Sequence, residues 1–341
     1  MISIIKRTLT LALVASLTTP AFAATQLVGA GSTFDYPFFS KAFYQYSQMH
    51  NDVTVNYQPI GSGGGIQQFT AKTVDFGATD VPMNPAELQR AGSPVLQLPV
   101  ALGGTAITYN VPGLHAGLRL TRQLVVSIYL GKVTKWNDPG IARLNPWNRM
   151  PDLPIVVAHR SDASGTTYIF TDFLGTVSGE WKTKVGVGKA VQWPAPSSVG
   201  GKGNDGVAGI VRNTPGAIGY VELAYALENH IDTAALQNRS GKWTNCSKET
   251  VAAAAATKSS ISSTDFSIVD RSGAHSYPIS GYSWIMVYQK PADSTRGRAT
   301  KQVLTWLVGA QSQSIAGSLN YVPLPANVRA VAIRALGKMS V

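Results

Sequence analysis

The residues best suited to chemistry in this chain cluster in three short phrases that mix glycine with hydroxyl side chains. The first is Gly29-Ala30-Gly31-Ser32-Thr33-Phe34 and the second is Gly61-Ser62-Gly63-Gly64-Gly65. The third is Arg160-Ser161-Asp162-Ala163-Ser164-Gly165-Thr166-Thr167. Glycine lets backbone approach a bound group closely, and a Ser or Thr hydroxyl can donate a hydrogen bond to it. Each phrase precedes a segment with helical patterning, so each also offers the unpaired N–H groups and positive end of a helix. That is the chemistry of anion capture, to which Arg160 adds a planar fork of donors and a fixed charge. Taken singly, each junction is better read as ordinary helix capping by Ser or Thr. Three in one chain, one of them carrying arginine, shift the reading toward a ligand.

Other chemistries lack their parts. The first phrase has Phe34 where a dinucleotide fingerprint needs its third glycine. Gly201-Lys202 is followed by Gly203 where a P-loop needs Ser or Thr, and Pro196 stands where its first glycine belongs. His50, His115, His159, His230 and His275 show no ligand-like spacing, so no metal and no cofactor is expected. Ser32, Ser62 and Ser164 do not fit the Gly-x-Ser-x-Gly elbow of a serine hydrolase. Cys246 is the only cysteine, which excludes an intramolecular disulfide and reads as an inert thiol.

The elements that must position these phrases follow from periodicity. Val53, Val55 and Tyr57 alternate as in a strand, while Phe39, Phe43 and Tyr46 recur at helical spacing as core packing. Further strands are predicted at Val95–Val100, Thr105–Asn110, Ile155–Ala158, Ala217–Val221 and Trp284–Tyr288. Helices are predicted near Ile66–Ala71 and at Thr121–Leu130, Thr166–Leu174, Val207–Arg212, Lys248–Lys258 and Thr300–Leu307. Gly200 to Gly206 reads as a glycine-rich loop. Alternation of this kind indicates α/β domains with largely parallel sheets. At the N-terminus, Lys6 and Arg7, an apolar run over Thr8 to Leu17 and Ala21-Phe22-Ala23 make the three-part pattern of a secretory signal. A mature chain of about 318 residues starting near Ala24 suggests two domains. Removing Lys6 and Arg7 from the formal +11 leaves about +9, which suits an anionic ligand and, without a nucleic-acid motif, supports a nucleic-acid partner only weakly.

The phrases GAGSTF (29–34), IGSGGGI (60–66), DFGATDVPM (75–83), HRSDASGTT (159–167) and GGKGNDGVAGIVRNTPGAIGYVE (200–222) resemble the periplasmic phosphate-binding proteins of ABC phosphate importers, the PstS family. The resemblance runs in order over essentially the whole mature chain. It implies a type II periplasmic-binding-protein fold: two α/β domains joined by a hinge, with the ligand cleft between them. Mapped onto this chain, it implies one domain from residues 24–103 plus 281–341 and another from 104–280, after a signal peptide at 1–23. The implied phosphate contacts are Thr33, Phe34 through its backbone N–H, Ser62, Asp80, Arg160, Asp162, Ser164, Gly165 and Thr166. His159 stands where the family often has arginine, and Gly63 where it often has serine. The implied partners are inorganic phosphate and an inner-membrane ABC permease, met by a periplasmic monomer with no enzymatic activity.

A carboxylate beside an anion makes sense once protonation is considered. Phosphate near neutral pH retains a proton, which Asp80 can accept as a hydrogen bond, whereas sulfate brings only acceptors. Leaving buried acceptors face to face can reject the wrong ligand by about 10⁴–10⁵-fold. The rival readings are a binding protein for another oxyanion or a phosphate ester, a secreted phosphatase, and a scaffold protein reusing the fold. A phosphatase needs a metal pair or an activated nucleophile, and the sequence presents neither.

Overall fold

The computed structural model describes residues 24–114 and 117–341, so the expected signal segment, residues 1–23, and His115 lie outside the described residues. The strands in chain order are β1 Thr25–Gly31, β2 Val53–Gln58, β3 Phe76–Thr79, β4 Val95–Tyr109, β5 Arg119–Thr121, β6 Val156–Arg160, β7 Ser198–Gly201, β8 Ala217–Glu222, β9 Ala235–Gln237, β10 Trp243–Thr244 and β11 Ser280–Tyr288. Eight of them form one sheet in the order β2-β1-β3-β11-β4-β8-β6-β7, and β10, β9 and β5 form a small second sheet.

The outer parts of the large sheet are parallel, as the βαβ patterning predicts: β1 pairs with β2 and β3, and β6 with β7 and β8. Its centre corrects the expectation of largely parallel sheets, because β11 runs antiparallel to β3 and β4, and β4 antiparallel to β8. The stretches expected as two strands, Val95–Val100 and Thr105–Asn110, are one continuous strand, β4. The Gly103-Gly104 pair between them is a place of close approach, not a turn. A Cβ at Gly103 would stand 2.7 Å from the Phe34 ring, and one at Gly104 would stand 2.4 Å from Cys246 Sγ.

Strand β4 links the two halves of the sheet. Val95 to Gly104 pair with β11, and Thr105 to Tyr109 pair with β8. Opposite it, the register slips between Ser283 and Trp284, which face Ala101 and Pro99. A bulge of this kind bends the ladder and re-aims a side chain, and the Ser283 hydroxyl is directed to the site described below.

The Tyr36–Met49 helix buries Phe38, Phe39, Ala42, Phe43 and Tyr46 against the first half of the sheet. Phe39 meets Tyr57 edge-on at 5.0 Å and Phe43 lies 5.8 Å from Phe76. The aromatic stripe is therefore core packing, and each buried ring contributes on the order of 1.5–3 kcal/mol. Two glycine-rich phrases expected as loops are the first turns of helices, Ser62–Thr70 and Gly203–Asn213. Their glycines are packed rather than mobile: a Cβ at Gly65 would lie 2.4 Å from Gly31 Cα. Among the described residues, no helix is long and apolar enough to cross a membrane.

Candidate functional site

The three glycine–hydroxyl phrases all leave the carboxyl ends of strands: the first from β1, the second after β2 and the third from β6. Asp80 directly follows β3, and Lys202 directly follows β7. Crevices outside the carboxyl ends of strands are where open α/β sheets bind ligands, and here they converge on one buried carboxylate, Asp80, which is 2% exposed.

Asp80 Oδ1 accepts from the Ser32 hydroxyl and, at 2.9 Å, from Ser283. Its Oδ2 accepts from Thr166 Oγ1 at 3.4 Å, a long contact. Ser62 Oγ in turn accepts from two backbone N–H groups, that of Gly165 at 3.0 Å and that of Asp80 at 3.3 Å. These contacts join the two halves of the sheet, since Ser62 and Asp80 follow β2 and β3 whereas Gly165 and Thr166 open the helix after β6. Burial raises the Asp80 carboxyl above its ordinary range, while the Ser32 and Ser283 hydroxyls, the Arg160 charge and Thr166 pull it back.

Arg160 supplies the formal positive charge. Its Nε and NH2 donate to Asp162 Oδ1 and Oδ2 at 2.7 and 2.5 Å, a fork-to-fork pair. The Arg160 side chain is 1% exposed, so this is no surface ion pair. The remaining terminal nitrogen, NH1, points to Thr166 Oγ1 at 3.5 Å, toward Asp80. Burial pushes Asp162 up, but the Arg160 hydrogen bonds and charge and the Gly203 N–H hold its carboxyl below the usual range. Asp162 therefore orients the guanidinium and offsets part of its charge.

At the third corner, Thr33 Oγ1 accepts from Asn204 Nδ2 at 2.8 Å and from the Asn204 N–H at 3.2 Å. With both contacts donated to it, the Thr33 hydroxyl proton is free to point into the site. Three tyrosines fix the backbone here: Tyr57 OH donates to Ser32 O, Tyr225 OH to Thr33 O and Tyr321 OH to Phe34 O. Gly165 has no room for a side chain, because a Cβ would stand 2.6 Å from Asp80 Cβ and from Ser62 Oγ.

All nine residues singled out from sequence are thus brought to one place, two of them with differences in detail, while His159 stands apart. The Phe34 N–H, expected to face a ligand, donates to Ser32 Oγ at 2.9 Å. Ser164 is a cap in the ordinary sense, its Oγ accepting from the Thr167 N–H at 3.1 Å. His159 lies away from the cluster, stacked on Trp193 with its Nδ1 3.0 Å from Arg160 O. The structure adds Ser32, Asn204 and Ser283. Ser32 and Asn204 lie inside phrases already quoted, whereas Ser283 sits in an apolar strand and nothing local marks it. Cys246 is buried, and burial pushes its thiol well above the ordinary range, in keeping with an inert thiol. Among the described residues, no group of His, Cys, Asp and Glu could hold a metal ion.

Comparison with known proteins bears on the family and the fold. Residues 18–311 match the model of the PBP superfamily domain. The chain is 44% identical over 324 residues to a phosphate-binding protein PstS from Xylella fastidiosa, covering 92% of this chain and 86% of that one. Among solved structures, it is similar to a phosphate-binding protein from Stenotrophomonas maltophilia, with a TM-score of 0.70 and 20% identity over 91% of this chain and 94% of that one. It is also similar to an ABC-type phosphate transport receptor from Vibrio cholerae, with a TM-score of 0.57 and 20% identity over 88% of this chain and all of that one. At such identity the structures speak for the fold, which is the two-domain periplasmic-binding-protein fold.

Proposed function

The chain belongs to the PstS family of phosphate-binding proteins, and from that premise we propose that it binds inorganic phosphate in the periplasm and delivers it to an ABC-type phosphate importer. The observation that carries this reading is a buried carboxylate set among donors. Asp80 stands within a ring of hydroxyls, two helix N-termini and the Arg160 fork. A site made only of donors would suit any oxyanion. One acceptor among them suits an oxyanion that still carries a proton. Asp80 Oδ1 is already engaged by Ser32 and Ser283, so Oδ2 is the oxygen that accepts the ligand O–H.

In this reading Thr33, Ser62, Arg160, Ser164 and Thr166 supply side-chain donors, Asp162 holds Arg160, and the Phe34 and Gly165 N–H groups, bonded here to Ser32 Oγ and Ser62 Oγ, serve the ligand by leaving those partners. Residues 24–103 plus 281–341 form one domain and 104–280 the other, with the hinge at β4 and β11. Support for that division comes from β4 changing partner between Gly104 and Thr105. Residues 1–23 direct secretion, and the mature protein acts as a monomer that docks on an inner-membrane permease. It binds without turnover, a reading supported by the Ser164 hydroxyl capping a helix and the His159 ring lying against Trp193, so that these two do not form a nucleophile–base pair.

The test is calorimetric titration of the phosphate-stripped mature protein with phosphate and, separately, with sulfate. Tight one-to-one phosphate binding without sulfate heat is expected. Equal binding of both would reject the role of Asp80, and binding of neither would reject the function.

A further inference from the structure

Asp35 takes no part in the contacts assigned above, yet it is fully buried beside them. It occupies the position before the Tyr36–Met49 helix, where Asp ordinarily caps, but its side chain makes no capping hydrogen bond. Its Oδ2 instead meets Ser283 Oγ, the same hydroxyl that lies 2.9 Å from Asp80 Oδ1. One hydroxyl thus stands between two carboxyl groups.

A serine hydroxyl has a single proton to donate. If Asp35 and Asp80 were both ionised, Ser283 could serve only one of them, and the other contact would set lone pair against lone pair in a buried site. Ser32 cannot relieve this, since its proton already goes to Asp80 and its oxygen accepts the Phe34 N–H. Asp35 Oδ1, moreover, is buried with no hydrogen-bond partner among the described residues. An oxygen in that setting is tolerated far better on a neutral carboxyl than on an ionised one. One proton order satisfies both carboxyl contacts: the Asp35 O–H donates to Ser283, and the Ser283 O–H donates to Asp80 at 2.9 Å in preference to the longer approach to Thr79 O at 3.3 Å.

We propose that Asp35 is a positioning residue for phosphate recognition, holding the proton that fixes Ser283 as a donor to Asp80 and so keeps Asp80 an acceptor for the ligand O–H. The proposal rests on the phosphate-binding reading above. The titratable groups that bear on Asp35 come from several elements: Asp80 after β3, Glu222 at the end of β8, Tyr57 in β2 and Tyr321 near the C-terminus. None of these is basic, and Arg160 acts on Asp80. Burial first, and the Asp80 charge second, push the Asp35 carboxyl well above the usual range, while the Ser283 hydrogen bond opposes them. The proposal requires Asp35 to hold this proton when phosphate binds, and burial and the Asp80 charge both act in that direction.

The experiment is calorimetric phosphate titration of the wild type and Asp35→Asn from pH 6 to 9.5, with folding checked by circular dichroism. An asparagine amide can donate to Ser283 at every pH, as the protonated acid does. At pH 7 the variant is expected within about threefold of wild type. Above pH 8, where free phosphate keeps a constant single proton, the wild type is expected to lose at least about fivefold in affinity while Asp35→Asn does not. Superimposable profiles, or a tenfold loss in the variant at pH 7, overturn the proposal. Should Asp35→Asn fail to fold, Ser283→Ala takes its place, with a fall of at least about fivefold in phosphate affinity expected and wild-type phosphate–sulfate discrimination overturning it. Failure of the wild type to bind phosphate at pH 7 is a different outcome, which strikes the function itself.

Discussion

At the scale of single residues, the site separates charge from selection. Arg160 gives the attraction and Asp80 gives the choice of ligand. Asp80→Asn replaces an acceptor with an amide that can donate, so a fully deprotonated oxyanion no longer meets an unpaired acceptor. Calorimetry of this variant should show sulfate discrimination falling by more than phosphate affinity does, and unchanged sulfate rejection would sink the acceptor role. Arg160→Ala removes the guanidinium and leaves the partly buried Asp162 carboxylate with backbone N–H donors, that of Gly203 among them. Phosphate affinity should drop at least about tenfold, since a hydrogen bond to a charged group contributes roughly 1.5–3 kcal/mol; wild-type affinity would remove Arg160 from the site. Arg160 is legible in the sequence because it opens a phrase dense in hydroxyls, whereas Asp80 is reached only through the resemblance of DFGATDVPM (75–83) to the PstS family. Ser283 is reached by neither route, because its role comes from a register slip in β11 that only pairing with β4 reveals.

At the scale of elements, the glycines decide how closely the two halves of the site can meet. Gly165 opens the Gly165–Val177 helix, where alanine is intrinsically the better helix former by about 1 kcal/mol. Across the site, however, a Cβ would press on Asp80 and Ser62. Gly165→Ala should therefore lower the thermal midpoint of the ligand-free protein, because the clash with the Asp80 backbone outweighs the helix preference, and lower phosphate affinity at least about tenfold. A loss of stability without loss of binding would mean that the glycine serves the helix and not the closed site. The same logic explains what periodicity could and could not predict. Alternation located β2 and the 3.6-residue stripe located the Tyr36–Met49 helix, because one face of each is buried locally. The continuity of β4 was hidden, because Gly103 and Gly104 look like a turn until the Phe34 ring and Cys246 are seen against them. The helical start at Ser62 was hidden for a similar reason: its glycines are needed by Gly31 and Ala163, which are distant in sequence.

At the scale of the whole molecule, the halves of the sheet are tied by buried charged and polar groups. Glu87, beside the first half, pairs with Lys189, beside the second, and both side chains are largely buried. Around the site, the fully buried Asp35 and Glu222 are raised well above the usual range, chiefly by burial. Their sign is fixed by linkage. A carboxyl with a raised folded-state pKa keeps its proton in the native state after the unfolded chain has lost it near pH 4. Its contribution to stability is full below that pH and declines as pH rises toward the folded-state value, by up to about 1.4 kcal/mol per pH unit for each group. Asp162 has the opposite sign, its pKa being lowered, but its contribution is lost only as pH falls below the unfolded value and is constant above pH 5. Urea unfolding of the ligand-free protein should therefore give a lower free energy at pH 8 than at pH 5.5. In Asp35→Asn the slope between these values should be shallower, because one ionisable group has been removed. A wild-type stability that rises over this range, or a slope unchanged by the substitution, would mean that Asp35 is ionised in the folded protein and that water or a shifted backbone satisfies it.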